Sequence, residues 1–164
     1  MSQQIPLQMS QLDPGERLLI WTFRHWVSGT EYWPAVYAKF EATFENDPNQ
    51  ETLLAVARLI NILNNGARRT IYHQELRCPS ISRDEALIVL TIAWVQAGQT
   101  DKARRYARQL VEDNVADAAI ARTIKVADLL KRHKVSLPKR SMSGGHFPGL
   151  PARVEYENVM SRFP

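Results

Sequence analysis

Residues 100–108 carry the side chains with the clearest chemical geometry in the chain. The segment reads TDKARRYAR, and Lys102, Arg105 and Arg108 recur at a spacing of three. Side chains three apart on a helix lie on one face, so these cations form a row opposite the two alanines of the segment. Arg104 flanks the row. Such a row of ammonium and guanidinium groups favours an anionic partner that presents phosphates or carboxylates.

The positive charge of the chain is concentrated in the same region. The formal net charge of the whole chain is +4, whereas residues 100–140 hold eleven basic and five acidic side chains, a net charge of +6. The cations that extend the row along the next helix and its end are Arg122, Lys125, Lys131 and Arg132. Two interpretations stay open, namely a solvated face balanced by nearby acids, or a docking surface for an acidic protein or for nucleic acid.

Catalytic chemistry finds little support in the residue pattern. Cys78 is the only cysteine, and His73 lies five residues before it, an offset that does not share a helix face. The four histidines are far apart without cysteines at zinc spacing, and no glycine-rich phosphate loop is present. We therefore expect a non-enzymatic protein without a metal or cofactor. The enzymatic alternative requires the fold to bring His73, Cys78 and a carboxylate together.

The elements that position these side chains are predicted to be helices. Ser82 with Glu85, and Asp13 with Glu16, have the spacing of a capping box at a helix start. Prolines in the first turn or further capping residues mark the other starts, which lie near Trp33, Asp47, Thr100 and either Asn114 or Asp117. The pattern predicts an all-α protein of about six helices, arranged as helical hairpins in a solenoid-like or orthogonal bundle, with a largely irregular C-terminal tail.

Residues 82–111 form the hairpin around which the other helices are expected to pack. Its first helix, Ala86–Ala97, is apolar on nearly every side, which predicts a central buried helix. Gly98 is suited to end that helix. The second helix has alanines on one face and the basic row on the other. We therefore expect the first helix to belong to the core and the second to present the surface that binds a partner.

This hairpin resembles one tetratricopeptide repeat. That family has a large–small–aromatic pattern on its first helix, a glycine at the turn and alanines on its second helix. The matching positions are Leu87, Leu90, Thr91, Trp94, Gly98, Ala103, Ala107 and Leu110. The match covers residues 82–111, and no second copy follows at the family's period of about 34 residues. The resemblance implies a helical-hairpin architecture and, as a function, the binding of another protein.

An aromatic stripe precedes this hairpin in the chain. Trp33, Tyr37, Phe40 and Phe44 follow one another at spacings of four, three and four, which places them on one helix face. The stripe is either a stacking platform for bases or a peptide, or simply part of the core. Large aromatic residues at helical spacing usually pack inward, so the pattern favours the core interpretation.

The two ends of the chain differ from the middle in composition. Residues 1–12 are polar and without a period, which predicts a flexible lead before a helical domain at 13–137. Residues 138–164 begin with a linker rich in proline, glycine and serine and end in an apolar stretch. In this tail Val154, Tyr156 and Phe163 are candidate partner-binding residues, although the tail equally fits packing on its own domain.

Together these patterns lead to one main functional hypothesis and one alternative. The main hypothesis is an adaptor, regulator or accessory subunit that binds an acidic protein surface through the basic row and its tail. The alternative is nucleic-acid binding through residues 102–140. The longest nearly apolar run is too short to cross a bilayer, and the single cysteine fits a reducing compartment. We therefore expect a cytoplasmic protein without a membrane partner, and its oligomeric state is left open.

Overall fold

The computed structural model describes residues 3–142 and Phe147, and this part of the chain folds mainly into α-helices. The prediction of an all-α protein with about six helices is confirmed. Two short strands, β1 (Gln3–Gln4) and β2 (Arg140–Ser141), pair in parallel. Three single turns of 3₁₀ helix lie at Met9–Gln11, Thr30–Tyr32 and Pro48–Gln50. The helices are α1 (Pro14–Ser28), α2 (Trp33–Thr43), α3 (Glu51–Asn65), α4 (Arg83–Gln96), α5 (Thr100–Ala107) and α6 (Ala116–Arg132).

Capping glutamates start two of the helices, α1 and α4. At α1, the backbone N–H of Asp13 donates to Glu16 Oε1 at 2.8 Å. At α4, the N–H of Ser82 donates to Glu85 Oε1 at 2.8 Å, while the N–H of Glu85 donates to Ser82 Oγ at 3.0 Å. These contacts satisfy backbone donors that have no partner inside a helix. Both starts were predicted because their pattern spans only a few residues.

Helix α4 occupies the centre of the core. It packs against α1, α5 and α6, and every residue from Asp84 to Trp94 is buried. The prediction of a central helix, which was based on the apolar residues on nearly every side of this segment, is thus confirmed. Helix α3 packs on α6, and α2 packs on α1. The hydrophobic cluster that results is continuous across all six helices.

Helices α4 and α5 form an antiparallel hairpin. Arg83, in the first turn of α4, donates from Nη2 to Oε1 of Gln109, just beyond the end of α5, at 2.7 Å. Gly98 at the turn has φ of 76°, a left-handed conformation that glycine adopts at low cost. Ala103 and Ala107 are fully buried. Their small side chains allow the two helices to approach closely.

A buried ion pair joins α1 to the start of α4. Arg24 is 1 % exposed, and its guanidinium donates to both carboxylate oxygens of Glu85, at 2.6 and 3.0 Å. The same guanidinium donates to the backbone carbonyls of Cys78 at 2.9 Å and Ser80 at 2.8 Å. One arginine therefore holds together α1, the loop before α4 and the first turn of α4.

Residues 3–12, which the sequence predicts to be a flexible lead, lie along the helical body instead. Apart from the pairing of β1 with β2, the N–H of Ile5 donates to the carbonyl of Ser141 at 2.9 Å, and that of Met9 to the carbonyl of Pro79 at 2.7 Å. Ile5 is buried in the core. These contacts join residues 3–12 to segments far along the chain. Such contacts produce no pattern within residues 1–12 themselves, so the sequence did not predict them.

The start of the predicted linker also contacts the core. Arg140 is buried, and it donates to the carboxylate of Glu16 from Nε at 2.9 Å and from Nη2 at 3.2 Å. The indole N–H of Trp94 donates to the Arg140 carbonyl at 2.8 Å. This second buried ion pair attaches residues 138–142 to α1 and α4.

The aromatic stripe divides between core and surface. Phe40 and Phe44 are buried, as the core interpretation requires. Tyr37, in contrast, is 39 % exposed. Trp33 is half-buried and stacks on Trp26, with ring centroids 4.2 Å apart and planes 4° from parallel. The stripe therefore packs inward at its C-terminal end and only partly at its N-terminal end.

We expect Arg24→Met to lower the free energy of unfolding by about 3–5 kcal/mol, because it leaves the Glu85 carboxylate buried without its counter-ion. Urea unfolding followed by circular dichroism measures the change. Arg58→Met is the matched control, since Arg58 is exposed on α3 and its loss should change stability by about 0.5 kcal/mol or less. Equal losses in the two variants would contradict the structural role of Arg24.

Candidate functional site: the exposed end of α5

The basic row on α5 contains two residues with exposed side chains and two with intramolecular partners. Arg105 and Arg108 are exposed, and neither forms an ion pair with any residue that the structure describes. Lys102 lies over the indole ring of Trp94, with Nζ 3.7 Å from the ring centroid, a cation–π contact. Arg104 pairs with acids on either side of it. Only part of the predicted row is therefore available to a partner.

The acids beside Arg104 separate α5 from the cations of α6. Arg104 donates to Asp101 Oδ1 at 3.1 Å and to Asp117 Oδ1 at 3.2 Å. Both carboxylates are strongly exposed. Asp117 lies in the first turn of α6. A carboxylate therefore lies between the cations of α5 and those of α6, where the sequence predicted a continuous basic surface. The positive surface of α5 is interrupted at this end.

The cations of α6 have their own acidic partner on α3. Lys125 Nζ lies 2.9 Å from Glu51 Oε1, and Arg132 Nη1 lies 3.7 Å from Glu51 Oε2. The hydrogen bond from Lys125, followed by its charge, lowers the pKa of Glu51 below its usual value. Arg122 and Lys131 are exposed and form no ion pair in the described part of the chain. These two cations are the part of α6 that remains available.

Three arginines from outside α5 and α6 lie at the C-terminal end of α5. Arg83 contacts the side chain of Gln109, as described above, and Arg69 Nη2 lies 3.5 Å from the Gln109 carbonyl. Arg68 donates from Nε to the carbonyl of Val111 at 3.0 Å. Sequence reasoning missed these residues because they come from the loop after α3 and from the start of α4. The adjacent arginines at 68 and 69 were the only local signal.

Acidic side chains hold two of these arginines in place. Both nitrogens Nη1 and Nη2 of Arg69 donate to the carboxylate of Asp84, each at 2.7 Å, which raises the pKa of the guanidinium. Asp84 also accepts the backbone N–H of Tyr72 at 2.7 Å. Arg68 donates to Asp113 at 2.8 Å. The Arg69 side chain nevertheless remains 46 % exposed, so part of its guanidinium faces solvent.

We call this set of five arginines the α5-end surface. Three of its members form hydrogen bonds with described residues, whereas Arg105 on α5 and Arg108 directly after it are exposed, opposite the buried inner face of the helix. Guanidinium groups present planar sets of donors that match carboxylate and phosphate oxygens. The arrangement is therefore suited to bind an anionic surface. The members are Arg68, Arg69, Arg83, Arg105 and Arg108.

The enzymatic alternative depended on His73, Cys78 and a carboxylate. Glu75 stands between His73 and Cys78 in the chain. The buried carboxylate of Glu85 accepts hydrogen bonds from Arg24 and from the backbone N–H of Ser82. Cys78 Sγ lies 3.3 Å from Ser80 Oγ, and His73 Nδ1 lies 2.9 Å from the Gln74 carbonyl.

Three further features bear on the predicted site. Within residues 3–142 and Phe147, no cluster of three or more histidine, cysteine or acidic side chains is suited to hold a metal ion. None of the helices in this part of the chain is long and apolar enough to cross a membrane. The predicted tail residues Val154, Tyr156 and Phe163 lie outside the described residues.

We expect the stability of the protein to decrease as pH falls from 7.5 to 5.5, partly through His73. Burial lowers the pKa of His73, and the charge of Arg24 acts in the same direction, while the Gln74 carbonyl and Glu85 oppose the shift. The unfolded chain then binds a proton near the usual value of about 6.5, so folding loses up to ~1.4 kcal/mol per pH unit below it.

Urea unfolding of the wild type and of His73→Asn at both pH values measures this contribution. The variant should show the weaker pH dependence, because it lacks the buried imidazole while all other titratable groups are the same in both proteins. An equal dependence in the two proteins would show that His73 titrates normally in the fold.

Comparison with known proteins gives no relative from which a function can be transferred. No protein-family model, no curated protein and no solved structure matches this chain. The functional interpretation therefore depends on the α5-end surface itself.

Proposed function

We propose that the protein is a non-enzymatic interaction module that binds an acidic surface of a partner protein through the α5-end surface. The observation that supports the proposal is the pair Arg105 and Arg108, which are exposed, one helical turn apart and without an ion pair in the described part of the chain. In this role the protein acts as an adaptor, regulator or accessory subunit. A single cysteine, which allows no internal disulfide, agrees with a location in the reducing cytoplasm.

The helix that carries the α5-end surface is firmly packed, which suits this surface to the recognition of a partner. Ala103 and Ala107 seat α5 on α4 with no exposed area, and Arg83 closes the open end of the hairpin through Gln109. Helical elements position binding residues more accurately than loops do. A partner would therefore order only the two α5 side chains, and not the backbone that carries them.

The composition of the surface favours a carboxylate-bearing protein over a purely apolar partner. The side chains of Arg68 and Arg69 are 37 % and 46 % exposed even though each is paired with an aspartate. Charges at the rim of an interface mainly accelerate association and select the partner. The resemblance of the α4–α5 hairpin to a tetratricopeptide repeat agrees with protein binding, although a fold alone does not determine function.

Nucleic-acid binding is the second candidate function. The observation that favours it is the concentration of five arginines around one helix end, since guanidinium groups also bind phosphates. The exposed carboxylates of Asp101 and Asp117 beside Arg104 count against it, because they would face a phosphate backbone. No nucleic-acid-reading motif is present in the sequence. We therefore rank this function below protein binding.

The double variant Arg105→Glu/Arg108→Glu reverses both charges, and its affinity for the partner should fall at least tenfold. The reason is that like charges facing each other across an interface cost several kcal/mol, and ~1.4 kcal/mol corresponds to a factor of ten in affinity. The full chain is immobilised, its stoichiometric partner is identified by mass spectrometry, and affinity is then measured by calorimetry. Arg58→Glu, which changes an exposed cation on α3, is the matched control. Both variants should unfold at the same urea concentration as the wild type.

Unchanged affinity in the double variant would refute the α5-end surface as the binding site. Gel retardation of duplex DNA and of RNA distinguishes the second function from the first. Phosphate contacts predict retardation at low salt that disappears steeply as salt rises, with a slope of about −0.9 per phosphate neutralised on duplex DNA. Absence of retardation at low salt would eliminate nucleic acid as the ligand.

A further inference from the structure

A groove runs along the N-terminal half of α1, remote in sequence from the α5-end surface. It consists of two adjoining cavities of about 370 and 300 Å³. Pro14, Leu18 and Lys39 line both of them. Val135 lines the first cavity and Trp21 the second, and most of the exposed lining of both is apolar. The remaining lining residues are Met9, Asp13, Gly15, Arg17, Thr43, Lys134 and Ser136.

The polar rim of the groove carries excess positive charge. Lys39 and Lys134 are exposed, and neither forms an ion pair with a described residue. The carboxylate of Asp13, the one acid in the lining, lies 3.6 Å from Arg140 Nη2 and so already has a cation beside it. Arg17 adds a third cation at the far end. An occupant that combines apolar side chains with carboxylates would complement this groove.

The backbone at one end of the groove is held in an unfavourable conformation. Lys134 follows the C-terminus of α6 with φ of 63°, and the N–H of Val135 donates to the Leu130 carbonyl at 2.8 Å. Glycine is the usual residue at this position, because a left-handed conformation costs other residues about 1–2 kcal/mol. The chain therefore places an ammonium group on the rim at some expense of stability. Such outliers commonly lie at functional positions.

We propose that this groove binds the chain's own C-terminal segment, Val154–Phe163, which lies outside the described residues. The spacing of Tyr156, Val159, Met160 and Phe163 at 0, 3, 4 and 7 matches one apolar face of a helix. Anchors with this spacing fill apolar grooves in helix-in-groove recognition. The proposal concerns a second surface and is independent of the function assigned to α5.

The charge and the length of the segment support this occupant. Glu155 and Glu157 flank Tyr156 and would face the lysines of the rim. Seven Cα–Cα steps, through residues 148–153, separate Phe147, which is buried in the core, from Val154. If extended they span about 23 Å, more than half the diameter of a body of this size (roughly 37 Å). A segment tethered so closely has an effective concentration in the millimolar range, so modest affinity suffices.

A spin label placed in the tail of the full chain tests the proposal. Cys78→Ser removes the native thiol, and Ser161→Cys carries the label. Paramagnetic broadening in the amide spectrum should then be strongest at groove residues such as Leu18, Lys39 and Val135. Broadening that is absent from the groove, or concentrated at another surface, would overturn the proposal. Labelled chains mixed with isotope-enriched, unlabelled chains must show no broadening, since transfer between chains would identify a second copy as the occupant.

Charge reversal supplies the matched controls. Lys39→Glu with Lys134→Glu should abolish the broadening at the groove, whereas Arg58→Glu should leave it unchanged. Adding Glu155→Lys and Glu157→Lys to the first variant should restore it. Lys134→Gly separates docking from folding, because it should raise the urea midpoint by relieving the left-handed backbone and yet reduce the broadening. Unchanged broadening in the Lys39→Glu/Lys134→Glu variant would refute the ionic part of the proposal.

Discussion

The buried pair of Arg24 and Glu85 is the contact on which most of the fold depends. Glu85 accepts the backbone N–H of Ser82 as well as the guanidinium of Arg24, so one carboxylate fixes both the start of the central helix and its attachment to α1. The remaining donors of Arg24 hold the carbonyls of Cys78 and Ser80. Because the guanidinium is planar and rigid, the path of the loop before α4 follows from the position of α1.

The capping glutamate of α1 also pairs with a buried arginine. Glu16 accepts the N–H of Asp13 at the start of α1 and also two hydrogen bonds from Arg140, so it joins a helix start to a distant segment. At both helices a capping carboxylate is therefore also the counter-ion of a buried arginine. Removal of either partner would leave the other charged and buried, which is far more costly than loss of an exposed pair.

These contacts also explain how much the sequence could predict. Six helices and the central position of α4 follow from patterns that span a few residues, namely caps, prolines and apolar spacing. The arginines that join the capping boxes lie 61 and 124 residues from their glutamates, and no local pattern marks such a pairing. The candidate site shows the same division. Arg105 and Arg108 were predicted from helical spacing, whereas Arg68, Arg69 and Arg83 come from remote segments.

The paired arginines also determine which cations remain for a partner. Residues 100–140 carry a net charge of +6, yet Arg140 is matched to Glu16 inside the core and Arg104 to two exposed aspartates. Counting charges along the chain identifies the basic region but overstates the surface it offers. Arg105 and Arg108 form no ion pair with a described residue, and α5 packs inward through alanines, so its long basic side chains lie on the opposite, exposed face. The small residues that close the hairpin therefore also create its exposed basic end.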